Sequence, residues 1–443
     1  MTPFPPTAGP RVFGLPPGVD FSRALVDGLL SRMAGAPPEA LARVEIWVNT
    51  RRAGRSLTEA FAAGPARLLP RIRVVAELAH DPRAPLDLAA PASRLGRTLE
   101  LARLVGGLLR AEPGLGAPGA AFDLADSLGD LLDEMQGEGI VPAALARVDA
   151  AEHAEHWRRS LAFLALLEDY VAASAPIDGQ GRMRAVAEAL ASAWSAAPPH
   201  HPMIVAGSTG SRQPQGALVL PGFDATLPAA VWDRLGADDP GAADHPQAGF
   251  RRLADALGFA PADVAPWTDA PPAAPTRNRV VSLALRPAPV TDQWRREGAP
   301  LAPTLGAAME QLAWMEADDP RGEARAIALL LREAAETAAR AALVTPDRAL
   351  ARRVTAELGR WGLRPDDSAG RPLALTPPGV LLARLADLAT APLTPDALLA
   401  LLSHPLTASG LADRAPHRRL ASLLELTFLR GGPPEIDWPA LHA

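Results

Sequence analysis

Two residue types are missing from this 443-residue chain: cysteine and lysine. Without cysteine it holds no disulfide, no Cys-ligated zinc and no iron–sulfur cluster. Without lysine, all 44 basic residues are arginine, so no phosphate-loop lysine, Schiff base or lysine general base exists in these residues. A base-composition bias that turns Lys into Arg accounts for the pattern, and the chemical consequence is the same. Unbroken apolar runs long enough to span a bilayer are also missing. The opening Met1-Thr2-Pro3-Phe4-Pro5-Pro6 lacks the charged and apolar regions of a signal peptide, so the expected location is the cytoplasm. Net charge is −6, which excludes a polycation; a nucleic-acid surface would have to be a local Arg cluster.

What is there begins with alternation. Val12-Phe13 reads as a strand, and an apolar helical period follows through Leu25, Leu29 and Leu30. Val44–Val48 is a second strand, Arg52–Ala63 a helix, and Ile72–Val75 a third strand. Strands and helices with short connections predict a parallel sheet covered by helices. From about Pro91 the pattern becomes helical, over Arg94–Arg110, Phe122–Gln136, His153–Ala173 and Arg182–Trp194. Strands return at Met203–Ala206 and Ala217–Leu220. A parallel pair there would need a crossover of about a dozen residues, so either a hairpin or a lost crossover helix is expected. Pro261–Arg277 and Arg295–Thr304 read as exposed connectors, and Val280–Ala284 as a strand between them. Helices are predicted over 310–316 and 321–339, then a strand at Ala342–Thr345. Further helices are predicted over 348–360, 376–388, 395–402 and 417–429, with Thr345 or Asp347 as a cap and Pro346 in a first turn.

The stretch Val12–Phe21 ends a strand in a Gly- and Pro-rich turn, where a phosphate loop would stand. A working loop reads G-x-x-x-x-G-K-[ST]: amides cradle the phosphates, Lys reaches their oxygens and the hydroxyl holds Mg²⁺. Laid on Gly14, the pattern requires Gly, Lys and Ser or Thr where this chain has Val19, Asp20 and Phe21. Gly14 and Gly18 could still offer amides to a phosphate; Asp20 would instead cap the helix and repel one.

Other candidates divide between chemistry and plain surface. Asn49, Thr50, Arg51, Arg52 and Arg55 follow the second strand and suit phosphate contact, or form a solvated helix face. The Gly207–Arg212 loop is a nest or a simple strand-end turn. Arg348, Arg352 and Arg353 sit at a strand-to-helix edge of the C-terminal part. His153 with His156, Asp133-Glu134, Glu168-Asp169 and Asp366-Asp367 lack a third ligand or point to different faces, and read as solvated surface. No catalytic or metal-binding set is expected.

Several segments together resemble one family. They are Val12–Phe21 (VFGLPPGVDF), Gly64–Val75 (GPARLLPRIRVV), Ile204–Arg212 (IVAGSTGSR), Pro214–Asp224 (PQGALVLPGFD) and Asp244–Gln247 (DHPQ). Thr345–Arg353 (TPDRALARR), Trp361–Leu373 (WGLRPDDSAGRPL) and Ser403–Leu406 (SHPL) complete the set. The chain resembles the N-terminal, helicase-like half of the AddB subunits, of alphaproteobacterial type, of AddAB helicase–nucleases. The resemblance implies an α/β fold of the P-loop NTPase kind (RecA-like, superfamily-1 helicase-like), with parallel sheets and a large helical insertion. It implies a first RecA-like domain at 1–90 plus 200–290, an insertion at 91–199, and an incomplete second RecA-like domain at 305–443. In this family AddA supplies the motor, while AddB holds single-stranded or forked DNA during double-strand break repair. The family's iron–sulfur cluster and nuclease metal would lie beyond residue 443. A different class of function, an active ATP-dependent helicase or exonuclease subunit, would require a Lys that this chain does not have.

Overall fold

The computed structural model describes residues 4, 9–81, 83, 93–138, 140, 163, 165, 170, 179–207, 216–236, 242 and 244–436. Two compact units divide the chain, residues 1–312 and 313–443. The protein is helix-rich α/β, 59% helical, and its described residues form a six-stranded, all-parallel sheet.

In the first unit, β1 (Val12–Leu15) leads to α1 (Phe21–Arg32), β2 (Glu45–Val48) to α2 (Arg51–Ala62), and β3 (Arg71–Val74) to a 3-10 turn over Val75–His80. Helices α3 (Arg94–Ala111), α4 (Ala121–Glu138) and α5 (Gly179–Ala196) follow. Then come β4 (Met203–Ala206), β5 (Gly216–Pro221), the short α6 (Ala229–Trp232), α7 (Ala248–Leu257) and β6 (Ala265–Pro266). The sheet order is β3-β2-β4-β5-β1-β6. Strands buried on both faces read as continuous apolar runs, and β2, β4 and β5 do so. Successive side chains alternate between two cores. Ile46, Val48, Ile204, Ala206, Ala217 and Val219 pack with α1 and α2. Trp47, Met203, Val205, Leu218 and Leu220 pack with Phe223, Trp232 and α7.

Of the two arrangements open for β4 and β5, the hairpin is not formed. The strands are parallel neighbours, with Met203 opposite Gly216 and Ala206 opposite Val219. Nine residues, 207–215, lie between them in sequence, fewer than the dozen or so that a parallel crossover usually takes, and 208–215 lie outside the described residues. Helices α3 and α4 pack through Leu101, Val105 and Leu109 against Ala121, Ala125 and Leu128. The helix expected over 153–173 lies outside the described residues apart from 163, 165 and 170.

Four expectations between residues 261 and 316 are corrected. Residues 261–277 are exposed or half-buried apart from Trp267, but they are more than a connector: they carry β6, paired to β1, and the fully buried Trp267. Ala and Pro dominate this stretch, so composition hid a single anchoring aromatic. Val280–Ala284 is helical, within α8 (Pro275–Ala284), because Pro275 starts a helix in the first turn and no strand lies alongside. The presumed connector at 295–304 is largely α9 (Gln293–Leu301), followed by α10 (Leu305–Met309). The helix expected over 310–316 ends before it, since Glu310 is extended and Gln311 adopts a left-handed φ of 64°.

Among the described residues of the second unit the α-helices are α11 (Pro320–Glu336), α12 (Arg348–Gly359), α13 (Pro377–Thr390), α14 (Pro395–Leu402) and α15 (Ala415–Leu424), joined by loops and turns. Ala324 and Ala328 of α11 pack on Leu350, Val354 and Leu358 of α12, with Leu343 and Trp361 at the margin. The strand expected at 342–345 is not formed. Val344 is 93% exposed, and among the described residues of this unit no strand offers a ladder to pair with; β-propensity alone does not make a strand. Asp347 caps α12, accepting from the Ala349 amide at 2.7 Å, so Pro346 precedes the cap instead of opening the helix.

A closed carboxyl edge and an arginine rim as the candidate functional site

In open parallel sheets, ligands bind outside the carboxyl ends of the strands. Here the carboxyl ends of β1 and β5 lie side by side, with Gly14 opposite Leu220 and Leu15 opposite Pro221. Gly14 is a buried mid-strand residue whose carbonyl accepts from Trp267 N at 3.0 Å. A Cβ at this position would stand 3.0 Å from Phe223 Cδ1 and 3.1 Å from Val264 Cγ1. Glycine is present for packing, and Gly14 belongs to no loop.

The turn after β1 is tied to itself. Val19 N donates to Pro16 O at 3.4 Å, with Gly18 at a φ of 82° that favours glycine. Pro16 and Pro17 carry no N–H, and the Val19 amide is used within the turn. The donors that would surround a phosphate are thus largely absent. Asp20 caps α1, its carboxylate accepting from Arg23 N at 3.2 Å, so an anion already complements the positive end of the helix. Val19 and Phe21 pack against the core beneath α1. The three residues that replace Gly, Lys and Ser or Thr have become one cap between two core contacts.

Helix α8 covers the same edge. Asn278 and Ser282 are four residues apart and share one helical face. Asn278 Nδ2 donates to Pro17 O at 2.6 Å, and Ser282 Oγ donates to Asp224 Oδ2 at 2.6 Å. One turn on, the buried Arg286 donates through Nη1 to Ser282 O at 3.0 Å and through Nη2 to Glu297 Oε2 at 3.3 Å. The turn after β5 is held from the other side by the buried Gln247. Its Nε2 donates to Gly222 O at 2.8 Å, and its Oε1 accepts from Asp224 N at 3.0 Å. His245 Nδ1 accepts the Gln247 amide at 3.1 Å, so the neutral ring carries its proton on Nε2. Burial, and then the positive charge of Arg286, hold His245 below the usual histidine range, with Asp224 opposing.

Sequence reasoning missed Asn278, Ser282 and Arg286. Their signal was the four-residue spacing, which fits a helix and not the strand expected there. The segments 214–224 and 244–247, recognised only as family resemblances, meet through Gln247.

The carboxyl ends of β2, β3 and β4 form a different surface. Thr50 caps α2, its hydroxyl accepting from Ala53 N at 3.1 Å. Asn49 donates to the carbonyl of Gly207, which joins this loop to the end of β4. Arg51, Arg52 and Arg55 are exposed on the first turns of α2, and Arg51 pairs with Glu77 beyond β3. The five residues expected from the sequence therefore share one rim. In the second unit the predicted trio separates. Arg348 is bidentate to Asp367, at 3.0 and 2.8 Å, and also holds Gly370 O at 3.1 Å; this pairing raises the arginine pKa. Arg352 and Arg353 are exposed on α12.

The acidic pairs read as plain surface have identifiable roles where they are described. Asp133 receives both terminal nitrogens of the buried Arg97, at 2.7 and 2.8 Å, and ties α4 to α3. Asp367 anchors Arg348. His153, His156, Glu168 and Asp169 lie outside the described residues.

Compared with known proteins, the chain matches no family model and has no significant match among curated proteins.

Proposed function

We propose that this chain is the non-motor, helicase-like part of a helicase–nuclease that processes DNA double-strand breaks, of the kind its segments resemble in AddB. On this reading the parallel sheet descends from a P-loop NTPase, RecA-like domain whose nucleotide site has closed. The observation that carries the proposal is the turn after β1. Val19 N is bound within the turn, Pro16 and Pro17 offer no amide, and Asp20 occupies the helix N-terminus. Helix α8 lies over the same edge through Asn278 and Ser282. A transferring phosphoryl group needs concentrated positive charge, and a chain without lysine offers little for that role.

What remains is scaffold and contact. Arg51, Arg52 and Arg55, presented by a capped helix beside Asn49, suit the phosphate backbone of single-stranded or forked DNA; Arg352 and Arg353 offer a second basic patch. Such contacts position DNA without reading its sequence. The motor would come from an AddA-type partner.

Two measurements on the purified chain test this. ATP turnover, with and without single-stranded DNA, is expected to equal that of a protein-free control; DNA-stimulated turnover would overturn the proposal. Oligonucleotide binding followed by fluorescence anisotropy is expected to weaken and lose salt dependence in the double variant Arg51→Ala, Arg52→Ala. Unchanged binding would return the rim to an ordinary solvated helix face.

A further inference from the structure

The rim already contains an anion. Arg51, the first residue of α2, directs its Nε to Glu77 Oε1, and Glu77 stands in the 3-10 turn after the neighbouring strand β3. The backbone on the arginine side is fixed by the Thr50 cap and by the Asn49 bond to Gly207. The pair is nonetheless open to water: the side chains are 80% and 45% exposed. Exposed ion pairs contribute little to stability. Guanidinium forks bind carboxylate and phosphate with the same geometry. A carboxylate on the guanidinium is therefore a competitor for any phosphate that approaches it.

We infer that Glu77 is a displaceable occupant of a phosphate subsite at Arg51, which sets the affinity of this rim for the nucleic-acid backbone. The inference rests on the DNA reading given above and adds a specific residue to it. In the DNA-free chain Glu77 neutralises Arg51. When DNA binds, a backbone phosphate exchanges with the Glu77 carboxylate, which returns to water. The exchange lowers affinity by the strength of the pair, because breaking it offsets part of the new contact.

The test is a two-residue cycle on the full chain, with a fluorescently labelled single-stranded oligonucleotide titrated over a series of salt concentrations. Glu77→Gln is expected to tighten binding about two- to fivefold, the range that corresponds to an exposed ion pair. The salt slope is expected to match the wild type's, because the Arg51–phosphate contact forms in both proteins. In an Arg51→Ala background the same substitution is expected to change neither quantity. Wild-type binding without any gain in Glu77→Gln overturns the subsite while leaving the DNA reading intact. A gain that persists in the Arg51→Ala background also overturns it, since general charge is then the cause. No binding by either protein at low salt overturns the DNA reading and the subsite together.

Discussion

The Asn278 carboxamide donates to the Pro17 carbonyl across 2.6 Å, joining the middle of α8 to the turn that follows the first strand. The two residues are far apart in sequence, and their bond closes the place where the sheet would otherwise receive a ligand. Substituting Asn278→Ala leaves a partly buried carbonyl without its donor. The expected cost is about 0.5–1.5 kcal/mol, the net value of one such bond, read from urea unfolding with an unchanged slope. Neither the wild type nor this variant is expected to bind ATP, because in both Pro16, Pro17 and Asp20 withhold donors and supply an anion. Recovery of nucleotide binding by Asn278→Ala alone would show that α8, and not the turn, closes the site.

A second prediction concerns what holds α1 to the sheet edge. Trp267 is buried, donates from Nε1 to Leu25 O at 3.2 Å and lies 3.9 Å beneath the Arg32 guanidinium. Gly28 is the residue on α1 that admits the indole. A Cβ there would stand 2.7 Å from Trp267 Cδ1 and 2.8 Å from Thr268 Cγ2. Ordinarily Gly→Ala in a helix stabilises by up to about 1 kcal/mol. Here overpacking of about 1–3 kcal/mol is set against that gain, and the backbone of α1 cannot yield without losing the Arg32 bond to Trp267 O. Gly28→Ala is therefore expected to lower the melting temperature. A rise would mean that Trp267 re-seats without cost.

Much of this architecture was legible in the residues, and the failures have physical causes. The strands at 12–15, 45–48 and 203–206 announced themselves because both faces are buried, which demands continuous apolar side chains. Asp20 as a cap was readable from its position before an apolar helical period. Val280–Ala284 misled because Val-Val-Ser-Leu fits a strand locally, while its polar residues, Asn278, Ser282 and Arg286, follow a helical spacing. Leu343-Val344 misled for the opposite reason: the β-propensity is real, but a strand exists only with a neighbour. At the candidate site, the sequence pointed to the Asn49–Arg55 rim as a group. It gave no sign that Glu77 would meet Arg51 or that Asp367 would meet Arg348, since such pairs depend on how distant turns are brought together.

Arg348 and its neighbours supply a third prediction. Three arginines on one helix differ in what occupies them: Arg348 is engaged by Asp367 and Gly370 O, whereas Arg352 and Arg353 are exposed. Arg348→Ala is expected to accelerate hydrogen exchange in the 366–370 turn and to leave DNA affinity unchanged. Arg352→Ala with Arg353→Ala is expected to leave exchange in that turn unchanged and to lower both DNA affinity and its salt slope. The reverse pattern would make Arg348 the DNA contact and Asp367 its competitor.

The last prediction is a pH dependence with two separable windows. Asp81 is buried; burial acts to raise its pKa, but hydrogen bonds from the Arg83 side chain and amide, with the charges of Arg83 and Arg73, outweigh burial and hold it below the usual carboxylate range. His245 is held below the usual histidine range by burial and Arg286. For both groups the unfolded chain binds the proton first as pH falls, so each lowers stability toward acid. The His245 loss begins near the unfolded value, about pH 6.5, and ends once the folded ring protonates. The Asp81 contribution is complete above the unfolded value of about 3.9 and drains as pH falls through the folded value. His245→Gln is therefore expected to flatten unfolding free energy against pH below about 6.5 while leaving the acid limb intact. Asp81→Asn should lower stability at neutral pH and flatten only the acid limb. Urea unfolding across pH 3–8 distinguishes the two, and a His245→Gln profile parallel to wild type would mean that the ring protonates as easily folded as unfolded.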